Sequence, residues 1–163
     1  MLIFGSRGLG LEKHPEGGFY KETYRSKEIL QSTGLPARFP GPRVFSTSIY
    51  FLLYGSEVSH LHRIKSDELW LFHDGGTLTI RVIEPDGKHR EIRLGRDIEK
   101  GEVLQGVVPA GCWFGGKMED PDSYCLAGCI VAPGFEFEDF ELADRDVLIH
   151  AHPHLREIIE LLS

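Results

Sequence analysis

The chain has 163 residues, of which 41% are hydrophobic and 26% are charged, and its formal net charge is -7 at pH 7. This length is close to that of one ordinary domain, so we expect a single domain over residues 1–163. The acidic balance argues against a nucleic-acid partner, because phosphate binding needs clustered Lys and Arg. No apolar stretch is long enough to cross a bilayer, and no membrane partner is expected.

The cysteines and the first residues indicate the compartment. Cys112, Cys125 and Cys129 are an odd number without a C-x-x-C pair, a pattern typical of a reduced protein rather than a disulfide scaffold. The opening MLIFGSRGLG lacks the basic region and cleavage site of a signal peptide. It is also too short and glycine-rich to form a good helix. The sequence therefore predicts a cytoplasmic protein.

Short β-rich runs recur along the chain between Gly, Pro and Asp. In chain order they are GFYKETYRS, RVFSTSIYFLLY, SHLHRI, ELWLFH, LTIRVIE, HREIRL, VLQGVVP and YCLAGCIVA. Many short strands with little helical period between them are typical of an antiparallel sandwich or barrel. The sequence therefore predicts an all-β fold, with a barrel over roughly residues 14–142.

The end of the chain shows two further patterns. PGFEFEDFELADRD alternates Phe with acidic residues, which predicts an edge strand with one buried and one solvated face. After it, Pro153 suits a first helical turn. The apolar residues that follow repeat at i, i+3, i+4 and i+7, and they are Leu155, Ile158, Ile159 and Leu162. We expect a short C-terminal helix over roughly residues 153–162.

Two histidines lie one residue apart in the run SHLHRI. Residues i and i+2 of an extended strand project from one face, so His60 and His62 are expected to point into the barrel together. Continuing that parity past the next turn places Glu68, Trp70 and Phe72 on the same interior face. The pattern predicts a polar pocket with an aromatic lining.

The opposite side of the ELWLFH strand is apolar as well. Leu69 and Leu71 lie there, and the run SIYFLLY likewise leaves no side for water. A strand that is apolar on both faces is covered twice, by the barrel interior and by another layer. We therefore expect a homodimer in which these strands meet a second copy of the chain.

The HPEGGFY run, residues 14–20, contains two adjacent glycines. Such a pair indicates a bulge or a close approach of the backbone to another group. His14 and Glu16 then have two interpretations. They form the entry to the first barrel strand, or they rim the pocket or cross to a partner subunit.

The order of Gly55, His60, His62, Glu68 and Gly75 is similar to the first signature of the cupin superfamily. Five blocks narrow the resemblance, namely LEKHPEGGFYKETYRS, STSIYFLL, HRIKSDELW, VVPAGCWF and APGFEFEDFELA. Together they resemble the single-domain cupin_5 family of unknown function, related in fold to the RmlC-like sugar epimerases. The resemblance implies a double-stranded β-helix, that is, a jelly-roll barrel, usually dimeric and with a pocket at its wider mouth.

The second cupin signature departs from the metal-binding pattern. Metal-binding members have a pattern similar to P-x-G-x-x-H, and the stretch that begins at Pro109 carries Phe114 in place of the histidine. His60, His62 and Glu68 would still be enough ligands for an open zinc or iron site, with manganese and nickel as further candidates. A bulky apolar ring beside them would nevertheless shrink the polar space.

Three interpretations of the histidines remain open. They form a hydrogen-bonded pair in a barrel without metal, they bind a divalent metal, or they take part in metal-free proton transfer. In the third case an imidazole held by Glu68 is the general base and Tyr20 or Tyr50 the acid. The candidate catalytic residues are therefore His62, Glu68 and Tyr50.

The sequence thus predicts a small-molecule pocket in the barrel. The expected lining residues are His60, His62, Glu68, Trp70, Phe72, Trp113 and Phe114. The expected function is ligand binding, with two enzymatic alternatives: a metal-dependent oxygenase or isomerase, and a metal-free sugar epimerase-like isomerase. The epimerase needs a basic cradle for phosphates, for which Arg25, Arg43 and Lys65 are scattered candidates.

Overall fold

Two antiparallel sheets face each other in the computed structural model, which describes residues 8–163. The larger sheet has six strands, in the spatial order β1-β2-β5-β12-β7-β10, and the smaller has five, in the order β13-β6-β11-β8-β9. A two-stranded pair, β3 and β4, lies apart from both. The expectation for MLIFGSRGLG falls mainly on residues 1–7, which lie outside the described residues.

The strands follow the short β-rich runs of the sequence. Their bounds are Glu12–Lys13 (β1), Phe19–Arg25 (β2), Ile29–Leu30 (β3), Arg43–Val44 (β4), Thr47–Tyr54 (β5), Val58–Arg63 (β6), Asp67–Gly75 (β7), Leu78–Ile83 (β8), His89–Leu94 (β9), Gln105–Val108 (β10), Trp113–Met118 (β11), Tyr124–Ala132 (β12) and Glu141–Leu142 (β13). Short 3-10 turns lie at Ser32–Gly34, Ile98–Lys100, Phe137–Asp139 and Pro153–Leu155.

Alternating side chains build the core between the two sheets. Phe51 and Leu53 of β5 and Trp70 of β7 are buried there against Ile80 and Val82 of β8. Alternate residues of a strand face one side of a sheet, so each strand contributes every second side chain to this core. The all-β prediction of a jelly-roll barrel is confirmed.

Strand β11 was not among the predicted runs. Its sequence, WFGGKM, contains two glycines, which weaken a strand signal. The glycines are needed because neighbouring strands come very close. A Cβ on Gly115 would lie 2.6 Å from the Ser59 carbonyl oxygen, and one on Gly116 would lie 3.1 Å from Leu78.

The edge-strand prediction for PGFEFEDFELADRD is wrong for most of its length. The segment forms the 3-10 turn Phe137–Asp139, and only Glu141–Leu142 pairs with β6. Phe135, Phe137 and Phe140 lie over one end of the barrel instead of following a strand period. Alternation of Phe with acidic residues therefore reflects a turn that places its rings on the barrel.

Two short helices follow the barrel, α1 (Arg145–Ala151) and α2 (Arg156–Leu161). Helix α2, after the 3-10 turn at Pro153, is the expected C-terminal helix, whereas α1 was not predicted. The Asp144 side chain caps α1 by accepting a hydrogen bond from the Val147 backbone N–H at 3.0 Å. Both helices pack on Leu61 and Ile83, on the outer face of the smaller sheet. None of the helices described in residues 8–163 is long and apolar enough to span a membrane.

Candidate functional site

A cavity of about 270 Å³ opens at one end of the barrel. Strands β2, β5, β7 and β12 of the larger sheet form one wall, and the end of β6 forms another. The segment of residues 135–140 lies across it. The polar groups deepest in it are His14, Glu16, His62, Glu68 and Cys129. The walls around them are apolar and aromatic, with Tyr20, Phe51, Trp70 and Phe137 among the lining residues.

A β-bulge in β6 separates the two histidines. His62 pairs with Phe114 of β11 and Ser59 pairs with Gly116, so three steps along β6 match two along β11. The extra residue reverses the strand parity. Ser59 and His62 both face the barrel interior and are buried, whereas His60 is exposed and lies outside this cavity. The prediction that His60 and His62 share one space is therefore wrong.

The HPEGG turn supplies the group that His62 meets. The His14 backbone N–H donates to the Gly18 carbonyl at 3.0 Å, and the Gly17 N–H donates back to the His14 carbonyl at 3.0 Å. Gly17 and Gly18 have φ of 106° and 72°, and a Cβ on Gly17 would lie 2.2 Å from the Val58 carbonyl oxygen. The turn therefore presses against β6 and directs Glu16 into the cavity.

The hydrogen-bond partners of His62 fix its tautomer. Its Nδ1 lies 2.8 Å from the His60 carbonyl oxygen, which only accepts, so Nδ1 carries a proton. Its Nε2 lies 3.0 Å from Glu16 Oε2. That contact needs one proton, carried either by the carboxyl of Glu16 or by the second nitrogen of His62.

Burial favours the uncharged form of this pair. It lowers the pKa of His62 to about 4 and raises the pKa of Glu16, since both side chains are removed from water. Both shifts favour the form in which Glu16 carries the proton on Oε2 and donates to His62. The Ser59 hydroxyl donates to the other oxygen, Oε1, at 2.7 Å, which is consistent with that assignment.

His14 provides a second acceptor on the same oxygen. Its Nδ1 accepts from the Glu16 backbone N–H at 3.2 Å and lies 3.3 Å from Glu16 Oε2. Burial also lowers the pKa of His14, so this ring stays neutral near pH 7. One proton on Glu16 is therefore placed between two imidazoles, an arrangement that can move a proton without creating net charge.

Glu68 is the second carboxyl of the cavity. Burial and the neighbouring Glu16 raise its pKa to about 8, and the Cys129 thiol is hydrogen-bonded to it. No Lys, Arg or His within the described residues forms an ion pair with it. Glu68 is therefore protonated near pH 7. Two residues along β7, Trp70 lines the same cavity, and its buried indole N–H has no hydrogen-bond partner among residues 8–163.

Three predicted site residues lie elsewhere. Tyr50 is on the outer face of the larger sheet, edge-on to His73 with ring centroids 5.7 Å apart. Phe72 packs into the core beyond the cavity. Trp113 lies under the C-terminal helices, with the Arg63 guanidinium 4.4 Å from its ring centroid. Strand parity explains two of these placements, since the residue after Tyr50 on β5 and the residue after Trp113 on β11 face the core.

The donor set does not fit a metal ion. Phe114 packs on His62 with ring centroids 4.1 Å apart, in the space where a further ligand would approach. His60 is exposed and points away from the cavity. The Nε2 of His62, which would bind a metal, is in contact with Glu16. Within residues 8–163, no three His, Cys, Asp or Glu side chains are arranged to hold a metal. The predicted ligand set of His60, His62 and Glu68 is not brought together.

The basic candidates do not form a phosphate cradle. Arg25 lines the mouth, where it bonds Glu22 at 3.0 Å and Glu136 at 2.6 Å. Arg43 is buried in a two-bond pair with Asp139, at 2.7 Å for each bond, and Lys65 lies 3.7 Å from the same carboxylate. Neither Arg43 nor Lys65 lines the cavity.

The strand pattern did not predict that Glu16 lies inside the cavity beside His62. The signal was present in the HPEGG run, where two glycines predicted a close backbone approach and His14 and Glu16 were considered as rim residues. The sequence could not show that the turn docks on β6, because that contact joins residues more than forty positions apart, such as Glu16 and Ser59.

Comparison with known proteins decides the family. A family model described as "Cupin superfamily (DUF985)" matches residues 7–143. The chain belongs to this cupin family. A curated relative, the uncharacterized protein YML079W of Saccharomyces cerevisiae, is 33% identical over 150 residues, which is 86% of this chain and 74% of the yeast protein.

Solved structures resemble this cupin over nearly its whole length. Protein SO0799 from Shewanella oneidensis has a TM-score of 0.85 and 44% identity, covering 97% of this chain and 94% of that one. A hypothetical protein from Leishmania major has a TM-score of 0.87 and 35% identity, covering 98% and 97%. Oxalate decarboxylase from Bacillus subtilis has a TM-score of 0.56 at 14% identity, covering 93% of this chain and 37% of that enzyme, and it supports the fold alone.

Proposed function

We propose that this cupin binds a small organic molecule in the barrel cavity and exchanges a proton with it through Glu16 and His62, without a metal. The observation that carries the proposal is the 3.0 Å contact between His62 Nε2 and Glu16 Oε2, with the opposite ring nitrogen fixed by the His60 carbonyl. Buried acid and base groups with displaced pKa values that line a cavity are typical of catalytic sites.

The pair supports proton abstraction next to a carbonyl group. When the Glu16 proton moves to His62, Glu16 becomes a carboxylate beside an imidazolium. Its Oε2 then takes a proton from the carbon next to the carbonyl. The C–H electron pair moves into the enolate, and the reverse step returns a proton that has exchanged with solvent. This is the first half of an isomerase or epimerase reaction.

The two other enzymatic alternatives have less support. A metal-dependent oxygenase or isomerase would need ligands that the bulge and Phe114 keep apart. A sugar epimerase acting on phosphorylated substrates would need cations in the cavity. Among the described lining residues Arg25 is the single Lys or Arg, and it is already paired with two carboxylates.

Deuterium exchange tests the proposal. Dihydroxyacetone is incubated with the protein in D₂O, with and without chelator, and loss of its C–H signals is followed by proton NMR. We expect catalysed exchange that is insensitive to chelator and falls at least about a hundredfold in His62→Gln. The matched control is His60→Gln, two residues away and outside the cavity, which should exchange like the wild type.

Either of two results would contradict the proposed function. Equal exchange by His62→Gln and the wild type would show that His62 moves no proton. Exchange that is lost with chelator and restored by a divalent metal would show that the reaction depends on metal.

We also propose a homodimer as the partner state and a cytoplasmic location. Leu69, Leu71 and Ile130 are only half-buried on the outer face of the larger sheet, next to the exposed Val107, which supports a second copy covering this face. The three cysteines are all buried and unpaired, which supports a reducing compartment.

A further inference from the structure

Two side chains on one face of β7 provide hydrogen-bond donors at the cavity. Glu68 and Trp70 are two residues apart, so both project toward the cavity that they line. The Cys129 thiol is hydrogen-bonded to Glu68. Burial raises the pKa of that carboxyl to about 8, so it is protonated near pH 7. The indole N–H of Trp70 is buried and has no acceptor within the described residues.

An unpaired buried donor is costly, and natural interiors rarely keep one. Leaving such a group without a partner destabilises the folded state. The ring of Trp70 packs edge-on against Phe51, with centroids 5.3 Å apart, so the indole is held in place by the wall. A ligand oxygen in the cavity would supply the missing acceptor.

The charges around the cavity select against anions. Glu12, Glu22 and Glu136 line it near Arg25, which forms ion pairs with Glu22 and Glu136. Deeper in the cavity an anion would meet the carboxyls of Glu16 and Glu68, which carry no positive charge to pair with it. Phosphate esters and carboxylates therefore meet an unfavourable field, whereas an uncharged molecule does not.

We propose that Glu68 and Trp70 form a donor pair that holds the carbonyl oxygen of an uncharged ligand, so that the substrate class is uncharged carbonyl compounds. The inference rests on the proposed function, because it places the carbonyl in the cavity that contains Glu16 and His62. Donors aimed at this oxygen would stabilise the negative charge that develops on it when the neighbouring carbon loses a proton.

The test uses two probes of similar size, cyclohexanone and cyclohexanecarboxylate. Binding is followed by backbone ¹⁵N–¹H NMR of the full-length protein at pH 7. Cyclohexanone should give saturable shifts in the amides of residues 68–72. The carboxylate should bind at least about tenfold more weakly, because Arg25, the cation that lines the cavity, already forms ion pairs with Glu22 and Glu136.

Three variants assign the donors. Trp70→Phe removes the N–H but keeps a ring and should weaken cyclohexanone binding about three- to tenfold, the effect of one hydrogen bond. Glu68→Leu should weaken it to a similar extent. Glu68→Gln keeps an N–H donor at the same position and should stay within about threefold of the wild type. The amide spectra of the variants report that the fold is retained.

Three results would overturn the inference: no saturable shift with cyclohexanone, tighter binding of the carboxylate, or unchanged ketone affinity in both Trp70→Phe and Glu68→Leu. The outcome is separable from that of the proposed function. Ketone binding without deuterium exchange would contradict proton transfer and support the donor pair. Exchange without a preference for the ketone would contradict the donor pair and support proton transfer.

Discussion

Glu68 is a buried acid whose protonation couples the cavity to the stability of the whole fold. Its pKa is raised to about 8 in the folded protein, whereas an exposed glutamate titrates near 4.5. Between these values the folded chain binds a proton that the unfolded chain has lost. The free energy of unfolding must therefore fall as pH rises across that window, by up to about 1.4 kcal/mol per pH unit.

Glu68→Gln should remove this slope. The amide cannot ionise, so we expect the variant to gain stability relative to the wild type as pH rises from about 4.5 to about 8. Urea unfolding at several pH values measures the difference. A constant difference between variant and wild type across the window would mean that Glu68 is ionised in the folded protein.

His62 contributes a slope of the opposite sign at lower pH. Its pKa is lowered from 6.5 to about 4, so the unfolded chain binds the extra proton between those values. Stability from this group is complete above pH 6.5 and is lost as pH falls toward 4. Replacing it by Gln should flatten the acid limb of the urea-derived stability curve. His60→Gln, two residues away and outside the cavity, is the matched control.

At the scale of elements, the HPEGG turn is the part that positions Glu16. Gly17 in this turn has a φ of 106°. A Cβ added to it would lie 2.2 Å from the carbonyl oxygen of Val58 on β6. We expect Gly17→Ala to reduce the free energy of unfolding by at least about 2 kcal/mol, from the disfavoured backbone conformation and the displaced contact with β6. The comparison is Gly34→Ala, where a Cβ meets nothing within 4 Å. Similar urea midpoints for the two variants would contradict this role of the turn.

The segment of residues 135–140 is anchored beside the cavity by a buried ion pair. Asp139 and Arg43 are 5% and 2% exposed, so removing one partner leaves the other charge buried. Arg43→Met should cost about 3 kcal/mol in urea unfolding, while Arg156→Met, which breaks an exposed pair with Glu160, should cost less than about 1 kcal/mol. Equal losses in the two variants would show that the buried pair adds no more than a surface one.

Predictability from sequence differs between the elements and the site. The apolar runs and turn residues indicate most strands, because burial imposes a period of two on them. Strand β11 lacks this signal, since its two glycines are required by the close approach of β6 on one side and β8 on the other. The site depends on one inserted residue between Ser59 and His62 and on the docking of a distant turn. A bulge has no reliable signature in the local sequence. The two-residue period of a regular strand therefore wrongly predicted that His60 faces the barrel interior.

At the scale of the whole molecule, the larger sheet has an outer face that is partly apolar. Ile130 pairs with Leu69 across β12 and β7, and Val107 of β10 pairs with Leu69 on the other side. We expect Ile130→Glu to convert a dimer into a monomer in sedimentation velocity, because a buried unpaired charge disfavours association. Val147→Glu is the control, on an exposed position of α1 away from this sheet. A wild type that sediments as a monomer would contradict the proposed dimer.

The protonation of His62 is the most direct test of a metal-free proton pair in the barrel. Long-range ¹⁵N–¹H NMR of the histidine rings, with His62 assigned by its loss in His62→Gln, reports which nitrogen carries the proton. We predict a neutral ring protonated on Nδ1 at pH 7, unchanged after addition of one equivalent of zinc. A ring protonated on Nε2 alone, or a zinc-induced shift of the Nε2 resonance, would contradict the account.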